Sequence, residues 1–292
     1  MLRLNVPRIN DSPDDYAVLF DLWQQVKASQ ETEVVFDFAT CDFFRQSGVA
    51  FIGGLMHWAK SQLKQVTITN LNNENVARNL RKNGFAEAFD LPAEPLSRTA
   101  VPYREDRHKA EESYLIYLSQ SWLHPERIYL SQNLRQAILS TVIEAYINVF
   151  DHAHSPVGAF TCGQFYPTSK EIMLTLVDFG IGIPATVRKH LRQPALSAEA
   201  AIRWVFQEGN STKARLMARG NGLKILKSFV RLNQGRLEIY SGDGYTRIDQ
   251  TDEYYTTHAT SFTGTVVQIA LKSDESYYQL ADEDDDAEEL FF

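Results

Sequence analysis

The alternation of hydrophobic and polar positions divides the chain into two unlike parts. Over residues 1–91, segments with apolar residues at helical spacing alternate with short apolar runs. The pattern predicts helices over 13–28, 47–63 and 73–89, the last broken at Gly84, and strands over 33–38 and 65–70. Strand and helix in alternation favour a small α/β domain with a partly parallel sheet.

The second part, residues 113–273, mixes helices and strands without strict alternation. Its pattern predicts helices over 125–152, 184–192, 197–207 and 221–233, and strands over 158–166, 171–178, 236–240 and 264–271. This mixture fits an α+β sandwich, in which a mixed sheet carries helices on one face. Between the two parts, residues 92–112 contain prolines among charged residues, which predicts a linker.

The composition suits two packed domains, with 292 residues of which 44% are hydrophobic and 23% charged. The net charge is −8, but seven acidic residues lie within 282–289, so the rest of the chain is nearly neutral. We therefore expect residues 274–292 to form an acidic, disordered tail. Because no broad basic field remains, nucleic acid is disfavoured as a partner.

The two cysteines, Cys41 and Cys162, are far apart in sequence, which argues against a disulfide framework or a cysteine-rich metal site. The N-terminal residues show no signal-peptide pattern. The longest apolar run, residues 49–59, is interrupted by polar and glycine positions and is too short to cross a bilayer. We therefore expect a cytoplasmic protein without membrane contact.

Candidate chemistry is concentrated near the end of the predicted helix 125–152. At about 100° per residue, one helix face carries four polar side chains, those of Glu144, Asn148, Asp151 and His152. Apolar residues occupy the other sides of this helix. A face with two carboxylates, an amide and an imidazole is typical of a site that holds a hydrated cation and an anionic ligand.

Two glycine-rich stretches follow the helix. The first, Asp178-Phe179-Gly180-Ile181-Gly182-Ile183-Pro184, comes directly after a strand-like run. The second, Gly220-Asn221-Gly222-Leu223, opens a predicted helix and follows a polar, basic loop over 209–220. Glycines allow the backbone to approach a ligand closely, and amides at a helix N-terminus receive phosphate oxygens.

In this order and spacing, the three stretches resemble the N box and the two glycine boxes of the GHKL ATPase superfamily. The resemblance covers about residues 125–272. The superfamily includes gyrase, mismatch-repair and chaperone ATPases, sensor histidine kinases and anti-sigma-factor serine kinases. The combination Glu144-Ala145, Asn148 and His152-Ala153 is most similar to the anti-sigma-factor kinase branch.

The resemblance implies roles at the phosphate end of an ATP site. Asn148 would be a Mg²⁺ ligand, and Glu144 would orient and deprotonate the attacking oxygen. His152 would contact a phosphate or orient Glu144, or else only bond the backbone at the helix end. Further phosphate contacts are expected at the second glycine box and in the preceding loop, from Gly220, Gly222, Leu223 and Lys213; an exposed, solvated lysine is the alternative at position 213.

At the base end, the resemblance implies that Asp178 accepts a hydrogen bond from the exocyclic amine of adenine. Gly180 and Gly182, continued by Ile183, would let the backbone approach the base. Thr265, after Gly264, would help to hold it.

The N-terminal part resembles a STAS domain, the fold of anti-sigma-factor antagonists, over about residues 1–91. There a strand leads to a serine at the start of a helix, as residues 36–38 lead here towards Ser47-Gly48. Ser47 is therefore a candidate phosphorylation site, with a helix N-cap as the alternative role. Arg45 and Gln46 depart from the family pattern, which has an aspartate and a hydroxyl residue before the serine.

The resemblance implies an Mg²⁺-dependent ATP-binding regulatory protein. It would hydrolyse ATP, or transfer the γ-phosphate to a serine or threonine of a STAS-like or other regulatory partner. The alternative is an ATP-gated interaction or dimerisation module with slow or no catalysis. A DNA-manipulating ATPase is disfavoured because no basic surface is evident, and a sensor histidine kinase because no membrane span is present.

Overall fold

The computed structural model describes residues 1–207 and 222–283, which form an α+β fold with two main sheets. Three strands form the first sheet, in the order β1 (Leu2–Asn5), β2 (Glu33–Asp37) and β3 (Gln65–Thr69), and all pair in parallel. The connections are α1 (Pro13–Ala28) and α2 (Gln46–Ser61). The predicted alternation of strand and helix in this part is confirmed.

Local sequence signals explain the N-terminal helices. Ser12 caps α1, and the Asp15 side chain bonds back to the Ser12 backbone, so that both residues form a capping box. Gly84, with φ 88°, separates α3 (Glu74–Lys82) from α4 (Phe85–Ala88) at the predicted break. A left-handed backbone is strained for residues with a Cβ atom, and this explains the glycine.

Five antiparallel strands form the second sheet, in the order β4-β6-β7-β9-β8. They are β4 (Ala100–Asp106), β6 (Ala159–Tyr166), β7 (Glu171–Asp178), β8 (Arg236–Asp249) and β9 (Glu253–Lys272). A short parallel pair, β5 (Tyr129–Leu130) with β10 (Tyr277–Tyr278), lies outside it. The expectation of a mixed sheet is therefore not met, because every pairing in the second sheet is antiparallel.

Alternate residues of the second sheet face two different cores. Ile172, Leu174 and Leu176 of β7 pack in one core with α5 (Glu111–Tyr117), α6 (Gln132–Asp151) and α9 (Gly222–Leu232), whereas Val177 packs in the other with α1 and α2. Helices α7 (Gly182–Leu191) and α8 (Ala198–Val205) lie between β7 and β8 in sequence. Both faces of the sheet are therefore covered, one by the N-terminal helices, rather than only one face as expected.

Several predicted bounds differ from the structure. The range predicted as a linker contains β4, the edge strand of the second sheet, and the start of α5. The predicted helix 125–152 begins only at Gln132, where Ser131 is the N-cap. Strands β8 and β9 form a hairpin much longer than predicted, because residues 242–248 of β8 also pair with residues 253–262 of β9.

Ser47 does not cap α2. The N-cap is Arg45, and Ser47 lies inside the helix with its side chain completely buried. The Ser47 hydroxyl donates to the carboxylate of Asp11, which also accepts from Gln46 Nε2 at 3.1 Å. Burial raises the pKa of Asp11, although these hydrogen bonds and Arg45 oppose the rise.

No helix in residues 1–207 and 222–283 is long and apolar enough to cross a membrane.

Candidate functional site

The polar face of α6 lies opposite its buried face. The apolar side of α6 packs into the core shared with α5, α9 and the sheet, through residues such as Ile138, Val142 and Val149. On the other side Glu144 is exposed, and Asn148 and His152 are half-buried. The backbone carbonyl of Asn148 accepts from the N–H groups of His152 (3.0 Å) and Ala153 (2.8 Å), which ends the helix.

The first glycine stretch packs against this end of α6. The N–H of Ile181 donates to the carbonyl of Ala153 at 2.9 Å. A Cβ atom on Gly180 would lie only 2.2 Å from the same carbonyl oxygen, so the contact requires glycine at position 180. Two motifs that are separate in sequence are therefore in direct backbone contact.

The same stretch also packs against β8 and β9. Gly182 begins α7 with φ 76°, and a Cβ atom there would lie 2.2 Å from the carbonyl oxygen of Thr263. The N–H of Ile183 donates to Ser241 Oγ at 2.9 Å. The Ser241 hydroxyl also contacts the Gly264 carbonyl oxygen at 2.9 Å and Thr265 Oγ1 at 3.1 Å. Ser241 is thus the centre of the contact between the sheet and the first glycine stretch, residues 178–184, which is called the glycine loop below.

Asp178 is the buried acid of this site. It ends β7 and pairs in register with Thr265, and only 4% of its surface is exposed. Burial raises the pKa of Asp178 to about 7, although hydrogen bonds from the N–H of Gly180 and from the hydroxyl and N–H of Thr265 oppose the rise. The carboxyl group therefore changes its charge near neutral pH.

The second glycine stretch is described in part. A helix was predicted over 221–233; α9 is described from Gly222, and Leu223 follows in its first turn, half-buried. Further along, Leu226 and Phe229 pack into the core that α6 also lines. The predicted phosphate contacts at Lys213 and Gly220 lie outside the described residues.

The structure therefore brings together His152, Asp178, Gly180, Gly182, Ile183 and Thr265. Glu144 and Asn148 continue this site along α6. Ser47 belongs elsewhere, because its neighbours Arg45 and Gln46 contact Met173. Met173 is five residues before Asp178 on β7, roughly 17 Å away along an extended strand.

Sequence reasoning missed Ser241. It stands in Ser241-Gly242-Asp243-Gly244, a composition typical of a turn. Only the pairing of β8 with β9 places it opposite Thr265.

The donors on α6 suit magnesium, which prefers oxygen ligands and keeps several waters. Asn148 offers an amide oxygen, and Glu144 offers a carboxylate one helical turn earlier. In the described part of the chain, no group of three or more His, Cys, Asp or Glu side chains is arranged to hold a metal ion. A metal at Asn148 would therefore share its coordination with water and ligand oxygens.

A separate cleft of about 180 Å³ lies between α3 and β6. Its lining includes carboxamides and aromatic rings, among them Gln46, Asn79, Asn83, Gln164 and Tyr166. None of the predicted nucleotide-site residues lines this cleft.

No protein-family model matches the chain, and no curated protein is similar enough to indicate a relationship. The functional interpretation therefore rests on the residues of the site and on their arrangement.

Proposed function

We propose that this protein is an Mg²⁺-dependent ATP-binding regulator that hydrolyses ATP or transfers its γ-phosphate to a serine or threonine of a STAS-like partner. One observation carries the proposal. The end of α6, the loop after Asp178 and residues Gly264 and Thr265 of β9 meet through backbone contacts, although they are far apart in sequence. These are the segments whose motifs suggested a nucleotide site.

The base end of the proposed site is built around Asp178. An ionised carboxylate accepts a hydrogen bond from the exocyclic amine of adenine, and Thr265 lies opposite Asp178 on the neighbouring strand. Gly180 and Gly182 keep this region free of side chains, so the backbone approaches the base closely. Burial strengthens these hydrogen bonds because water does not compete for them.

The phosphate end lies along α6. Mg²⁺ held by Asn148 would neutralise charge on the phosphates. Glu144, exposed one turn earlier, takes the proton of the attacking hydroxyl or water as its oxygen bonds to the γ-phosphorus and the bond to the β-phosphate oxygen breaks. The N-terminus of α9 at Gly222 adds backbone donors.

Labelled phosphate tests the proposal. Wild type, Glu144→Ala and Asn148→Ala would be incubated with Mg²⁺ and γ-labelled ATP, alone and with STAS-like proteins, while free and protein-bound label are measured. We expect the Glu144 variant to lose turnover by about 10²–10⁴-fold, the usual contribution of a general base. Asn148→Ala should lose it through weaker metal binding.

Matched controls are available within the chain. Glu87→Ala removes an exposed carboxylate of α4, and Asn133→Ala removes an exposed amide at the opposite end of α6. Both should keep wild-type turnover. Label on a partner would identify a kinase and free phosphate an ATPase; wild-type turnover in the Glu144 variant would contradict the proposed role of that residue.

A second candidate, the ATP-gated interaction module, is favoured by one contact. Tyr240, next to Ser241, stacks on Tyr16 of α1 with ring centroids 4.2 Å apart. A ligand that moves the glycine loop would thus act on the packing of the N-terminal helices. Tight ATP binding without turnover in the labelled-phosphate assay would favour this module over the enzyme.

A further inference from the structure

Three carboxamides that line the cleft between α3 and β6 are each hydrogen-bonded to the protein at one end. Asn79 Nδ2 donates to the carbonyl oxygen of Phe44 at 3.1 Å. Asn83 Oδ1 accepts from the N–H of Phe85 at 3.0 Å. Gln164 Nε2 donates to the carbonyl oxygen of the next residue at 3.2 Å. The orientation of each side-chain amide is therefore held by the backbone.

These bonds determine which atom each carboxamide has left to offer. A carbonyl oxygen only accepts and a backbone N–H only donates, so the amide nitrogen and oxygen cannot exchange places without losing the bond. The remaining ends are the acceptor oxygens of Asn79 and Gln164 and the Nδ2 donor of Asn83. These ends have no hydrogen-bonding partner among the residues that the structure describes. The cleft thus offers two fixed acceptors and one fixed donor.

The donor lies at the buried end of the cleft. Asn75, Asn79 and Asn83 are four residues apart, so they follow one side of α3 and its C-terminal end. Asn75 is exposed and Asn79 half-buried, whereas only 3% of the surface of Asn83 is exposed. Buried polar groups in proteins are nearly always paired, because an unpaired one is costly. A ligand that enters past Asn75 and accepts from Asn83 would satisfy this group.

The rest of the lining favours a neutral ring as the ligand. Phe43, Phe44 and Tyr166 supply aromatic surface. Among the described residues of the lining, Asp42 alone carries a charge, and Arg8 pairs with it at 3.3 Å. A charged ligand would lose hydration there without gaining an opposite charge. A cavity of about 150 Å³ holds a benzene ring, so this cleft of about 180 Å³ has room for one ring with a substituent.

We propose that the cleft binds a small, neutral, flat ring that carries an amide edge, in which two N–H donors stand beside a carbonyl oxygen. The N–H groups bond to the oxygens of Asn79 and Gln164, and the carbonyl oxygen accepts from Asn83. Two kinds of compound have this edge: guanine, through its N1–H, 2-amino group and O6, and an aromatic primary carboxamide such as nicotinamide. The inference is independent of the proposed ATP site, none of whose residues lines the cleft.

Calorimetric titration of the full chain with four neutral probes tests the inference. Inosine differs from guanosine in lacking the 2-amino group, and N,N-dimethylnicotinamide differs from nicotinamide in lacking both N–H donors. We expect guanosine or nicotinamide to bind with a Kd of about 1 mM or below. Its matched probe should bind about tenfold more weakly, because a missing donor leaves an acceptor of the cleft unpaired. Binding of guanosine alone would identify the base, and binding of nicotinamide alone the carboxamide; binding of both would show that the amide edge suffices.

Variants connect the binding to the carboxamides. Gln164→Met removes one acceptor without adding charge and should weaken binding of the preferred probe by about tenfold. Gln24→Met is the matched control, since Gln24 is also half-buried and its Nε2 donates to the carbonyl oxygen of Ser261 at 2.8 Å, outside the cleft. The control should bind like wild type. Asn83→Asp keeps the oxygen that accepts from Phe85 but loses the donor, so binding should no longer be detected; if this variant does not fold, Gln164→Met decides.

Three results would overturn the inference. They are no binding of any probe up to about 10 mM, equal affinities within both matched pairs, and wild-type affinity in Gln164→Met. A loss in Gln24→Met as large as that in Gln164→Met would also overturn it, because the loss would then come from the fold. None of these results bears on ATP binding, and failure of ATP to bind would leave the inference standing.

Discussion

The carboxyl group of Asp178 has a higher pKa in the folded chain than in the unfolded chain. Burial raises its pKa in the folded chain to about 7, whereas an unfolded aspartate has its ordinary, much lower pKa. Between these values the folded chain binds a proton that the unfolded chain does not. The contribution of Asp178 to stability is therefore fully present below the pKa of the unfolded aspartate and is lost as the pH rises from there to about 7.

Asp178→Asn should remove this pH dependence, because the amide stays uncharged and still accepts the hydrogen bond from Gly180. We expect the difference in free energy of unfolding between the variant and wild type to be smaller near pH 5 than near pH 8. Near pH 8 it should be more stable, by a few kcal/mol at most. Urea unfolding of both proteins between pH 5 and 8 measures the difference. A difference that does not change with pH would contradict the raised pKa.

At the residue scale, the sequence predicts those site residues whose signal is local. Asp178 follows an apolar strand and precedes glycines, and Gly222 opens a helix with apolar periodicity. Ser241 has no such signal, because its role comes from pairing with a strand more than twenty residues away in sequence. Local sequence patterns do not show which residues of two distant strands are paired.

At the scale of elements, the contact between α6 and the glycine loop sets the shape of the candidate site. The contact is made by backbone atoms of Ala153, Gly180 and Ile181. Because main-chain atoms cannot change rotamer, any side chain at position 180 must displace the loop or the helix end. The proposed binding of a nucleotide should therefore depend on the packing of these two elements.

Gly180→Ala should weaken ATP binding and lower the free energy of unfolding by about 1–3 kcal/mol, the usual cost of overpacking. Gly163→Ala on β6 is the matched control, since its Cβ atom would lie 2.3 Å from the carbonyl oxygen of Met173 on β7, away from Asp178. The control should lose similar stability and keep its ATP affinity. Chemical unfolding and titration of both variants separate the effects; equal ATP affinities would contradict the coupling.

The bounds of helices were predicted correctly where the sequence contains a clear capping residue or a glycine that interrupts the helix. The bounds of α1 follow from the capping box at Ser12, and Gly84 marks the break before α4. Element prediction failed for β4, where Pro102 suggested a linker; proline is tolerated here because β4 is an edge strand of the sheet. It also failed for the outer part of the β8–β9 hairpin, since strands were predicted only over 236–240 and 264–271.

At the scale of the whole molecule, the N-terminal helices form a layer between the two sheets. The core that they share with the second sheet includes Phe51 of α2 together with Phe160, Phe179 and Phe262. Phe179 is also the residue that follows Asp178 in the candidate site. The N-terminal part therefore supports the glycine loop from the opposite face of the sheet.

Arg45 and Gln46, the two residues before Ser47, have a structural role in this layer. Arg45 stacks on Tyr166 at 4.6 Å, and Gln46 accepts a hydrogen bond from the Tyr166 hydroxyl at 2.7 Å. Both residues also contact Met173 of β7. They bind the second sheet, so their identity depends on a contact between distant parts of the chain. A single sequence does not contain that information.

Hydrogen exchange with and without Mg²⁺ and ATP is the most direct test of the central claim, that the end of α6 and the loop after Asp178 bind the nucleotide. Amides buried by a ligand open less often and exchange more slowly. We predict slower exchange in peptides covering residues 148–153 and 179–183, and no slowing in Asn148→Ala at the same ATP concentration. Unchanged exchange in both peptides, or protection confined to the cleft between α3 and β6, would contradict the account.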